Sequence, residues 1–103
     1  MKIAPPVDWQ PLEQAIPRDV FLAEVAVWPK RIGVEPKEAR LPPMKRKWGS
    51  CSAAGRVTFN TDLLRQRADF RKRVIAKELL HLRVPNHGKL FKTMLRALLR
   101  TQA

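Results

Sequence analysis

A helix that is forced to stop sets the frame for this sequence. In residues 70–84, FRKRVIAKELLHLRV, Ile75, Leu79 and Leu82 share one stripe, and Phe70, Val74, Glu78 and His81 share the neighbouring one. Pro85 ends the run, because proline disfavours helical backbone in the residue before it and has no amide to donate. A last helix is predicted in HGKLFKTMLRALLRTQA. Leu90, Phe91, Met94, Leu95, Leu98 and Leu99 form its face to bury, and Lys89, Lys92, Arg96 and Arg100 its wet face.

Upstream, the pattern changes twice. In RDVFLAEVAVWPKRIGV the residues Phe21, Val25, Trp28 and Ile32 recur at helical spacing, with Asp19 as the expected N-cap and Gly33 as the stop. Pro29 inside the pattern predicts a kink or an early end. RKWGSCS and RVTFN then read as two strands around the turn SAAG, where Gly55 is free to take positive φ. They predict an antiparallel β-hairpin over roughly residues 45–60, with one edge left open above the 70–84 helix. NTDLLRQRAD follows as a short helical turn, with Asp69 placed to cap the next helix. Pro5, Pro6, Pro11 and Pro17 make residues 1–16 an irregular lead-in, with room for one helical turn at LEQAI. The expected class is α+β: a small hairpin packed against helices, as one domain over residues 1–103.

Length and composition limit the alternatives. A chain of 103 residues with 45% hydrophobic residues supports one modest core. The single Cys51 makes no internal disulfide and points to a reducing compartment. No apolar run follows Lys2, and no stretch approaches the roughly 20 apolar residues of a membrane span. A soluble cytoplasmic protein without a membrane partner is expected. The formal net charge is +12, from 21 Lys and Arg against 9 acidic residues. Such a balance suits nucleic acid, although a well-solvated basic surface also explains it. The same two readings apply to RQRADFRKR, as phosphate contacts or as wet helix flanks.

Positions 77 and 81 lie one helical turn apart and point the same way. Two histidines at this spacing grip one zinc, and a glutamate at the position between them reaches the metal-bound water. A catalytic zinc takes three protein ligands and lowers the pKa of its water to about 7. This chain has Lys77, Glu78 and His81 at these places, with His87 six residues further on. On an unbroken helix six residues turn through about 600°, which would point His87 away from His81. The break at Pro85 lets the chain turn back and present both imidazoles to one point, although His87 taken alone also reads as a capping or surface histidine after a helix end.

The stretches KWGSCSAAGRVTFN, from Lys47 to Asn60, and KELLHLRVPNHGKLF, from Lys77 to Phe91, resemble the YgjP-like family of zinc metallopeptidases. The family pattern is a Trp-Gly-Ser-Cys strand, a turn, a strand ending in Asn, and then H-E-L-x-H-L followed by Asn-His and Phe. The resemblance implies a minimal zincin-like domain with Glu78 as general base and His81 and His87 as second and third zinc ligands. It implies a peptide or protein substrate, added as a strand along a rim containing Trp48, Gly49, Ser50 and Cys51. From the residues themselves, Trp48 either stacks on a substrate or packs in the core, and Cys51 is either reactive or a buried structural thiol. The departure is Lys77 at the first-ligand position. A protonated amine is a poor zinc ligand and repels the cation, so impaired metal binding and hydrolysis are expected. A non-catalytic basic module for nucleic acid or a protein partner is the alternative.

Overall fold

A computed structural model describes residues 15–100. Helix α1 spans Arg18–Ile32 and buries Phe21, Val25, Trp28 and Ile32, the four residues its spacing singles out. Pro29 does not shorten it. Gly33 ends it at φ 84°, its amide donating to the Pro29 carbonyl at 2.8 Å. Asp19 is not the cap: Pro17 holds that place in extended backbone, and Asp19 lies in the first turn, where its charge suits the positive end of the helix. Of the lead-in, residues 1–14 and most of the turn expected at LEQAI lie outside the described residues.

The hairpin forms as expected, from β2 (Gly49–Cys51) and β3 (Arg56–Phe59), with Ser50 opposite Thr58. Its turn closes by a 3.0 Å bond from the Gly55 amide to the Ser52 carbonyl, with Gly55 at φ 96°. The sequence reading missed the strand β1 (Glu38–Arg40), which pairs parallel with β3 on the side away from β2. Among the described residues the sheet order β1-β3-β2 therefore leaves β2 as an edge strand. Val57 and Phe59 of the central strand are fully buried, and Phe59 meets Phe21 edge-on at 5.6 Å. Burying side chains of this size stabilises by roughly 1.5–3 kcal/mol each.

A 3₁₀ turn, Thr61–Arg65, leads into α2 (Ala68–Leu80), which packs on α1, on both hairpin strands and on α3 (Lys89–Arg100). Arg67, not Asp69, is the α2 cap; Asp69 accepts the Phe70 amide from within the first turn. Arg71 fixes α2 to α1. Its Nε and Nη2 donate to the two Glu24 oxygens at 2.9 and 2.8 Å, and its Nη1 donates to the Gln66 carbonyl at 2.6 Å. This residue of the basic cluster is thus a structural clamp.

The helix expected over 70–84 ends at Leu80. Beyond it Leu82 and Arg83 donate to the carbonyls three residues back, a tightening that turns the chain before Pro85. Arg83 Nη1 then donates to the Ile32 carbonyl at 2.7 Å, tying this turn to the end of α1. On α3 Phe91 is buried, while Met94, Leu95, Leu98 and Leu99 are half-buried. Leu90 was expected on the buried face but is 62% exposed. It sits about 100° around the axis from Phe91, at the margin of the face. Among the described residues no helix is long and apolar enough to cross a membrane.

Candidate functional site

The tightened turn after Leu80 brings the two histidines together. His81 is the C-cap of α2, and the chain returns through Pro85 so that His87 stacks on it, with ring centroids 4.4 Å apart. Their Nε2 atoms face each other at 2.6 Å. Phe91 completes the cluster, its ring 4.6 Å from His81 and 4.5 Å from His87. The apolar spacing of α3 identifies Phe91 as a core residue; its contact with the imidazoles depends on where α3 docks.

His81 also hydrogen-bonds the backbone of Pro85, whose only polar backbone group is its carbonyl. Since Nε2 faces His87, Nδ1–H is the donor, which leaves a lone pair on His81 Nε2. Burial holds the His81 imidazole below its ordinary pKa, with the Lys77 charge acting the same way and the Pro85 bond opposing. His87 is lowered too, first by desolvation of its ring against its neighbours, then by the charges of His81 and Lys77. Both rings are therefore neutral at pH 7, and one Nε2–H donates to the other Nε2.

Glu78 points into the same region. It is 8% exposed, and burial raises its carboxyl pKa against the opposing charges of Lys77, His87 and Lys47. A raised carboxyl is suited to general-base work near neutrality. Gly49 makes room for it: a Cβ there would lie 2.9 Å from Glu78 Cγ and 3.0 Å from the Thr58 carbonyl oxygen. Gly49 is buried and lies beneath the Glu78 side chain. Trp48 is half-buried, edge-on to Phe70 at 5.1 Å. Ser50 and Cys51 are half-buried on the edge strand. Burial, then the Glu78 charge, raises the Cys51 thiol, which keeps it protonated and poorly nucleophilic. An open groove of about 460 Å³ runs between strand and helix, lined by Cys51, Ser52 and Ala53 on one side and Glu78, His81, Leu82 and Pro85 on the other.

The sequence marks Asn60 only as the Asn that ends a strand in the family pattern, and its organising role appears in the structure. Asn60 is fully buried; its Nδ2 donates to the Met44 and Lys47 carbonyls at 3.0 and 2.9 Å, and its Oδ1 accepts the Asp62 amide at 2.9 Å. It thereby fixes the loop that delivers Trp48 and Gly49. A lone Asn at a strand end resembles any turn residue, so only its burial reveals this role.

The donor set does not complete a catalytic zinc site. Two neutral imidazoles converge, but two zinc-bound imidazole nitrogens in a tetrahedral site stand about 3.3 Å apart, so this pair is bonded to itself. Among the described residues no group of three His, Cys, Asp or Glu side chains is placed to hold a metal ion. The position one turn before His81, where a third imidazole would stand, carries half-buried Lys77.

Comparison with known proteins bears on the fold and the family. No curated protein sequence matches the chain. Among solved structures, the crystal structure of the metallopeptidase zymogen of Pyrococcus abyssi abylysin is similar in fold, with a TM-score of 0.65 at 18% identity, over 74% of this chain and 76% of that one. The profile of the YgjP-like, metallopeptidase domain family matches residues 10–101, from the lead-in through the last helix. The chain belongs to the YgjP-like metallopeptidase family.

Proposed function

We propose that this chain is a family member in which Lys77 has disabled the zinc-dependent step, leaving a domain that receives an extended peptide along β2 without efficiently hydrolysing it. The observation that carries this reading is the His81–His87 contact beside Lys77: two imidazoles satisfy each other, and the third position holds a cation. Zinc, where a family site binds it, supplies a water acidic enough to be deprotonated near pH 7. Here the Lys77 ammonium stands in for part of that positive charge. It favours the ionised form of Glu78 and disfavours protonation of both imidazoles. The carboxylate and the histidines therefore remain compatible in one fold. In support of this reading, β2 is an edge strand among the described residues, suited to adding a peptide as a further strand, and the groove beside it is lined by Glu78.

The test is a peptidase assay with an unstructured fluorogenic peptide, with and without added zinc, on the native chain and on Lys77→His. The native chain should show no zinc-dependent cleavage, and Lys77→His should gain cleavage that a further Glu78→Gln change abolishes. Zinc-dependent cleavage by the native chain, lost in Glu78→Gln, would sink the reading.

A further inference from the structure

Beyond Glu78 the chain has no acidic residue, while Arg83, Lys89, Lys92, Arg96 and Arg100 all follow it. Three of these recur every fourth residue on α3, so Lys92, Arg96 and Arg100 form a row with steps of about 6 Å. Across from them stands Arg73 of α2. The groove between the two helices is lined by these four cations with Leu95 and Leu99, and has a volume of about 500 Å³. Both leucines are only half-buried. Among the described residues none of the four cations pairs with a carboxylate. The groove shares no lining residue with the one at Glu78 and His81.

The chemistry of the lining selects the occupant. A nucleic-acid strand would find the positive row but no aromatic ring on which to stack its bases. A helix that lies in a membrane surface turns its apolar face outward, whereas the α3 leucines face a groove shared with α2. An apolar strip two leucines long between positive rims matches a helix with apolar residues one turn apart and carboxylates on both flanks.

We infer that the α2–α3 groove docks an acidic amphipathic segment of a partner protein. Its apolar side chains seat on Leu95 and Leu99, and its carboxylates pair with Arg73, Lys92, Arg96 and Arg100. The docking does not depend on the chemistry at Lys77.

A short labelled helical peptide, with two leucines one turn apart and glutamates on both sides, tests this by fluorescence anisotropy against the full chain. Binding is expected, and Arg96→Glu with Arg100→Glu should weaken it by about tenfold or more. Both side chains are exposed, so the thermal midpoint of this variant should stay close to that of the native chain. A peptide of equal charge with serines for the leucines should also bind about tenfold more weakly. Lys77→His should bind the peptide as the native chain does, which separates this inference from the reading of the histidine site. Absence of peptide binding, or equal binding of the serine peptide, would overturn it. So would tighter binding of single-stranded DNA or phosphatidylserine vesicles that the same double substitution abolishes.

Discussion

Gly49 and Glu78 share one space: a Cβ on the glycine would stand 2.9 Å from the glutamate Cγ and 3.0 Å from the Thr58 carbonyl oxygen. The side chain could give way, but the sheet backbone on the other side could not. Gly49→Ala should therefore destabilise the chain by about 1–3 kcal/mol, as overpacking does. Adding Glu78→Ala should recover only part of the loss, because the Thr58 contact persists. Urea unfolding of the two variants measures both effects.

The raised Glu78 carboxyl gives a signed pH dependence for the metal-free chain. Its folded pKa lies above its ordinary value of 4.5, so between the two the folded state holds more proton than the unfolded one. Stability is then lost as pH rises from 4.5 through the folded value, and the full penalty persists above it. Glu78→Gln carries no such penalty. It should be more stable than the native chain at pH 7, with the difference shrinking as pH falls toward 4.5. Denaturant midpoints across that window check it, and a difference that grows on acidification would contradict the assignment.

Much of this architecture is legible in the sequence because it rests on periodicity. Phe21, Val25, Trp28 and Ile32 announce a helix face, and Val57 and Phe59 a strand face; all six are buried. The convergence of His81 and His87 follows from one proline placed between them. By contrast, Glu-Ala-Arg at 38–40 has no alternation to read, and β1 exists because β3 offers it a free edge. The capping roles expected of Asp19 and Asp69 failed because the backbone of Pro17 and Arg67 already turns into each helix two residues earlier. The sequence marks Gly49 as part of the Trp-Gly-Ser-Cys rim but not why it must be glycine. Its purpose appears only when Glu78, far along the chain, is folded over it.

The ion pairs of Glu24 and of Glu38 should behave differently. Arg71, whose side chain is 10% exposed, grips Glu24 with two bonds, whereas Glu38 meets Arg40 and Arg56, whose side chains are 65% and 67% exposed. Glu24→Ala strands a buried guanidinium and should cost about 3 kcal/mol. Glu38→Ala should cost less than about 1 kcal/mol. Thermal or urea unfolding ranks them, and equal losses would show that the Arg71 clamp contributes no more than a surface pair.

On the proposed reading Lys77 stands where a third zinc ligand belongs, and among the described residues no side chain replaces it. Calorimetric titration of zinc into the native chain and into Lys77→His tests it most directly. The native chain should show no tight one-to-one binding, and Lys77→His should show it, with His81 and His87 separating to share the metal. Equal, tight, one-to-one binding by both proteins would rule this out, because the lysine form would then be finding its third ligand elsewhere.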